Sequence, residues 1–183
     1  MKNLIFILIA GAIFWGCSGE PRHSVLGLPS YQAAGNYKTK KSVYIASVED
    51  KRKNKAVSAT ITDKKGTVSE YIMLSGDVAQ WFENALTSEL KKSGATVKSP
   101  SDISVEVEIN ELRANLSGYT GENLKGECAI TLRIYRGDEI ITKKLAGPQS
   151  KFAPIHTTGA FETLFKDLMS DMVKRAAKAI LSE

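Results

Sequence analysis

Cysteine and histidine are scarce in this chain of 183 residues, which holds two of each: Cys17 and Cys128, His23 and His156. Two separated histidines and one thiol inside a strand pattern do not make a coordination set, so no metal is expected. The sequence also lacks a nucleophile elbow, a phosphate-binding glycine loop and a zinc spacing, which leaves catalysis and any other cofactor without support. A long hydrophobic run is missing too. The longest, Leu4 to Trp15, is about a dozen residues, whereas a helix needs roughly 20 to cross a bilayer. Nor is there a strong charge of one sign. The formal net charge of +5 suits solubility near a membrane and not a nucleic-acid partner.

What is present begins at the N-terminus. Lys2, the apolar run and the small residue Gly16 form a secretory signal peptide over residues 1–16. Gly16-Cys17-Ser18-Gly19 resembles the lipobox of bacterial lipoproteins, with Phe14 and Trp15 standing where that motif usually has leucine and a small residue. The resemblance implies that Cys17 carries a thioether-linked diacylglycerol and an N-acyl chain, together enough for stable anchoring. The alternative is a signal peptide cut nearby, with Cys17 removed or left as an ordinary thiol. Residues 17–41 then read as the lipidated cysteine and a flexible tether rich in proline, glycine and serine, reaching ~25 Å on average. Val25, Leu26, Leu28 and Tyr31 are too apolar for a pure spacer, and they dock either on the domain or on a partner.

Residues 42–183 read as one domain, long enough to bury a core without disulfides. Val43, Ile45 and Val48 mark a strand that ends at Glu49-Asp50-Lys51-Arg52-Lys53. Two strand-like runs flank Asp63-Lys64-Lys65-Gly66 as a hairpin. Ser75 is placed to cap an amphipathic helix carrying Val78, Trp81, Phe82, Ala85, Leu86 and Leu90, with Asp77 in its first turn. Ile103, Val105, Val107 and Ile109 alternate with polar residues, as do Cys128, Ile130, Leu132 and Ile134, and Ile140, Ile141 and Leu145 complete a meander. After a loop from Pro148 to Pro154, Thr157 or Thr158 is expected to cap a long last helix. The fold class expected from this order is α+β: a two-layer sandwich with a mostly antiparallel sheet and two amphipathic helices on one face.

Several short features have ordinary explanations. Arg136-Gly137-Asp138 spells an adhesion tripeptide, yet a Gly-Asp turn is what a hairpin needs there. His156 sits where a helix begins, a structural position more often than a catalytic one; an envelope hydrolase would have to gather it with carboxylates. Lys51, Arg52, Lys53 and Lys55, with Lys64 and Lys65, form either a solvated loop or a patch for anionic headgroups or an acidic partner.

The run Val43 to Arg52, with its Asp50-Lys51-Arg52 element, then the hairpin and the Trp81-Phe82 helix, is similar to the YajG-like bacterial lipoproteins. That resemblance implies an outer-membrane lipoprotein without established enzymatic activity, and it supplies no catalytic residues. The order of elements also resembles LptE-like and PqiC-like auxiliary lipoproteins of lipopolysaccharide and lipid transport. Those would need an apolar groove between helix and sheet. The expected reading is therefore a non-enzymatic lipoprotein facing the periplasm. It is held in the outer membrane through Cys17, with an envelope protein as partner and neither cofactor nor nucleic acid bound.

Overall fold

The computed structural model describes residues 20–183. The signal peptide and Cys17 lie outside the described residues. Eight strands and two helices follow one another as β1 (Arg22–Gly27), β2 (Ser42–Asp50), β3 (Ala59–Thr62), β4 (Val68–Ser75), α1 (Val78–Lys92), β5 (Thr96–Val97), β6 (Ile103–Ser117), β7 (Leu124–Arg136), β8 (Glu139–Lys151) and α2 (Ala160–Leu181). No described helix is long and apolar enough to cross a membrane.

The fold class differs from the expected mostly antiparallel sandwich with both helices on one face. All eight strands form one mixed sheet. Four of its seven strand pairings are parallel: β1 with β4, β2 with β5, β2 with β6, and β3 with β6. Only β3–β4, β6–β7 and β7–β8 are antiparallel. Period-two alternation reveals a strand and its buried face, but not the direction of its neighbour. Parallel neighbours need a crossover, and here the chain crosses through β3, β4 and α1 between β2 and β6. Helix α1 packs on β2 and β5, α2 packs on β7 and β8, and the two helices meet each other.

Strand β6 is the axis of the sheet. One edge pairs with β7 along Ile103 to Leu116. The other edge is shared in succession: β2 takes Ile103 to Ile109, and β3 takes Ala114 to Ser117. Strands β2 and β3 are thus two pieces of one interrupted strand, separated by the excursion 51–58. A bulge between Ile109 and Glu111 lies opposite the break. The excursion is pinned at both ends by backbone bonds, from Lys51 N to Ile109 O at 2.9 Å and from Ala114 N to Ser58 O at 2.9 Å.

Arg52 fills the break. Its side chain is 5 % exposed, and that of Asp50 is 15 %. Arg52 Nε donates to Asp50 Oδ1 at 2.9 Å, Nη2 to Oδ2 at 2.8 Å, and Nη1 to Ser58 Oγ at 3.1 Å. The sequence places Arg52 in an exposed basic run; in the structure it is buried, because only a forked cation satisfies Asp50 and Ser58 together. Burial alone would raise the Asp50 carboxyl, but the hydrogen bonds and charge of Arg52 outweigh it and hold it below the ordinary value.

The N-terminal segment docks where a free tether is expected. Six residues of β1 pair with β4. Leu26 is buried, and Leu28 and Tyr31 pack on the core. Trp81 Nε1 donates to Pro29 O at 2.6 Å. The fully buried Glu89 of α1 accepts from Tyr31 Oη at 2.5 Å, Ala34 N at 2.8 Å and Gly35 N at 3.0 Å. Burial first, and the Glu89 carboxylate second, push the Tyr31 phenol upward. Val25 is the exception among the four apolar residues, remaining 61 % exposed.

Helix entry also differs in detail. Asp77, not Ser75, caps α1, accepting from Ala79 N and Gln80 N. Gly159 begins α2 without a side-chain cap. Thr158 instead donates to Glu70 Oε1 at 2.6 Å. Where α2 crosses β7, a methyl group on Gly126 would stand 2.7 Å from Leu168 Cδ1, so the glycine sets how closely helix and sheet approach. Strand β8 runs on through Pro148 to Lys151. Proline is tolerated there because β8 pairs on one side alone.

Removing Arg52 leaves a carboxylate buried without its partner, which costs several kcal/mol. Because Asp50 keeps some contact with water, Arg52→Ala is expected to lose about 3 kcal/mol in denaturant unfolding, the low end of that range. Asp50→Asn/Arg52→Met is expected to lose less than Arg52→Ala. The Asp50 contribution is present above the ordinary carboxylate pKa of about 4 and disappears as the pH falls through its depressed folded value.

Candidate functional site

The surface of the sheet away from the core is built from the second set of side chains on β6 and β7. Along β6 the buried positions are odd up to Ile109 and even from Leu112 onward, the change produced by the bulge. The wet face therefore carries Glu106 and Glu108 before the bulge, and Glu111, Arg113 and Asn115 after it. Opposite them on β7 stand Lys125, Glu127, Arg133 and Tyr135. Arg133 Nη1 meets Glu108 Oε1 at 3.0 Å, and Tyr135 Oη donates to Glu106 Oε2 at 2.9 Å. These exposed pairs contribute little stability each. Their effect is to keep the face charged and soluble.

At one end this face deepens into a groove of about 860 Å³. The floor is Arg113, Asn115, Lys125 and Glu127; the walls are the 51–58 excursion and the end of β8 at Gln149 and Ser150. Arg113 is held by Glu111 at 2.6 Å and Glu127 at 3.0 Å. Asn115 Nδ2 donates to Thr60 Oγ1 at 2.8 Å and Thr62 Oγ1 at 2.9 Å. The groove offers both charges and several hydrogen-bonding groups on a firm floor. It suits polar recognition of an extended segment. The sequence does not reveal it, because its parts come from four separate stretches that meet only through sheet pairing.

The sequence candidates fall elsewhere. Cys17 lies outside the described residues. His156 Nε2 stands 2.6 Å from Gly118 O, and its ring stacks on Tyr119 at 4.2 Å. Among the described residues it bonds no carboxylate, so the arrangement an envelope hydrolase needs is not assembled around it. His23 lies against Tyr71, 5.5 Å between ring centres, at the sheet edge. No group of histidine, cysteine and carboxylate side chains among the described residues could hold a metal. Between helix and sheet the packing is closed: Phe161, Leu164, Phe165, Leu168 and Met172 are all essentially inaccessible. Where these residues pack, α2 and the sheet leave no room for the acyl chains that an LptE-like or PqiC-like protein would hold between them. A smaller cavity of about 420 Å³ lies between the end of β1 and the start of α2, with Glu162 and Lys166 in its lining.

Cys128 is 2 % exposed, and burial pushes its thiol up to about 12. In the folded protein it is expected to resist a thiol-modifying reagent at pH 8 and to react once denaturant unfolds the chain. Mass spectrometry of the labelled protein checks this.

None of the curated proteins matches the chain. Solved structures do. Protein XCC0632 from Xanthomonas campestris superposes with a TM-score of 0.65 at 9 % identity, over 86 % of this chain and 94 % of that one. A second, described as an uncharacterized protein, gives 0.53 at 11 % identity, over 87 % and 99 %. These two share the fold. A minor lipoprotein from Acinetobacter baumannii is a looser likeness, with a TM-score of 0.44 at 11 % identity over 78 % of this chain and 92 % of that one. The matching family is not described as an enzyme family. The family model matches residues 29–179, most of the chain, and on that match the protein belongs to the bacterial family described as uncharacterized lipoprotein.

Proposed function

We propose that this lipoprotein is a non-enzymatic, YajG-like component of the cell envelope. It is anchored through Cys17 to the inner leaflet of the outer membrane, faces the periplasm, and works by binding a protein partner in the groove on the wet face of the sheet. The observation that carries the reading is the groove itself. It has a volume of about 860 Å³, combines the charges of Arg113, Lys125 and Glu127 with apolar surface from Val57, Ala59 and Pro148, and is floored by paired strands, while His156 has no acid–base companion among the described residues. Membership in a lipoprotein family supports the anchor, and the Gly16-Cys17 pair supplies the residue for it. Ser18 follows the cysteine, where enteric bacteria use aspartate to retain a lipoprotein in the inner membrane.

Two measurements test this. Cys17→Ser is expected to move the protein from the outer-membrane fraction to the soluble periplasmic one; unchanged sedimentation with the membrane would overturn the anchor. A photo-crosslinking residue at Lys125 or Gln149 is expected to trap one discrete envelope protein in intact cells. The same residue at Lys178, on exposed α2 surface, is expected to trap none. Equal patterns from the two faces would remove the groove as the binding surface.

A further inference from the structure

The described chain emerges at one particular end of the molecule, and that end has an unusual surface. Strand β1 starts at Arg22, whose guanidinium meets the buried carboxylate of Glu70 at 3.2 Å. Glu70 also accepts from Ser24 Oγ at 2.5 Å and Thr158 Oγ1 at 2.6 Å. The 152–159 loop therefore lies beside the point where the chain leaves the fold. The same end holds the β6–β7 turn, because Asn123 donates to Gly118 O at 3.0 Å and Ala153 O at 2.8 Å and accepts from Ala153 N at 2.8 Å. The β3–β4 turn joins it through Lys64, whose Nζ sits 5.1 Å from the Tyr119 ring centre.

Three large apolar side chains stand in the open here. Tyr119 is 51 % exposed, Phe152 58 % and Ile155 68 %. Exposing such side chains together on tied-down loops is unfavourable in water unless something covers them. Lys64 and Lys65 flank them at the hairpin tip; Asp63 turns its carboxylate onto the backbone of Lys65 and Thr67 within that tip. Tyrosine and lysine beside aliphatic and phenyl groups suit the headgroup layer of a bilayer, where rings and ammonium groups meet both water and lipid.

We infer that this end, formed by Tyr119, Phe152, Ile155, Lys64 and Lys65, beds into the lipid surface beside the anchor. The inference rests on the reading of Cys17 as the lipid-bearing residue. Arg22 lies five positions after Cys17, a stretch that fully extended spans at most about 18 Å. An anchor at Cys17 therefore holds these loops within a short distance of the membrane, in place of the ~25 Å spacing of a free 24-residue tether. The opposite end is the Gly137-Asp138 turn and Ile140. It lies about 40 Å away, the length of the 13-residue β7 at ~3.3 Å per residue.

The test couples the protein to vesicles chemically, so it does not depend on whether the cell lipidates Cys17. Every described strand and helix lies within residues 22–181, so a chain beginning at Cys17 keeps them all. With Cys128 buried, Cys17 is the thiol that reacts with maleimide-headgroup lipid in vesicles of phosphatidylethanolamine and phosphatidylglycerol. Ile155→Trp and Ile140→Trp are compared in vesicles whose acyl chains carry bromine, with Trp81 as common background. Bromine is expected to quench the emission gained by Ile155→Trp and to leave that of Ile140→Trp unchanged. Quenching of neither, or of both alike, overturns the inference. The first of these outcomes hands the apolar end to a protein partner.

Discussion

The outer edge of β6 changes partner at the point where Arg52 lies between Asp50 and Ser58. Strand β6 is longer than either strand that pairs with its outer edge, so that edge must change partner midway. A bare break would leave backbone groups and a carboxylate facing the core without partners, which is expensive in a low-dielectric interior. One guanidinium resolves several of these demands. Its five donors and fixed plane match a carboxylate side-on and leave an arm for the Ser58 hydroxyl. On one side of the junction β2 and β5 receive α1; on the other β3 and β4 receive β1, the first part of the N-terminal segment. The groove on the wet face exists because the 51–58 excursion, held from below by Arg52, rises as its wall.

Much of the fold was legible in the sequence, and the reasons for the remainder are specific. The alternation in Ile103 to Ile109 and in Cys128 to Ile134 gave β6 and β7 with their buried faces, since one wet side leaves a period of two. Val78, Phe82, Leu86 and Leu90 gave α1 through the helical period. Strand direction was not legible, because a strand shows the same alternation whichever way its neighbour runs. Arg52 was hidden among lysines, and only its spacing from Asp50 hints that it turns inward. Arg22 to Gly27 reads as linker because its partner β4 lies more than 40 residues on. Its apolar Leu26 is one buried residue among exposed ones.

The site was legible only in part. The family resemblance pointed to a lipoprotein, which the family match bears out at that level, and the N-terminal motif pointed to one residue. The groove could not be found from sequence because no single stretch contributes more than a few of its residues. Arg113 and Glu127 also pair with each other, so no run of one sign advertises it. The long free edge of β8 is similarly managed. Lys143, Lys144 and Pro148 along it discourage another chain from adding a strand there.

Strand β1 also determines how the molecule carries a mechanical load. A pull delivered through the N-terminal chain enters at Arg22 and runs along the strand axis. Six residue pairs with β4 resist it side by side in shear, with the Glu70 cluster at the point of entry. Strands loaded in this way must slip together, whereas a hairpin pulled open at its end unzips one bond at a time. A domain tied to a membrane that bends and turns over would keep its core intact under such tugs.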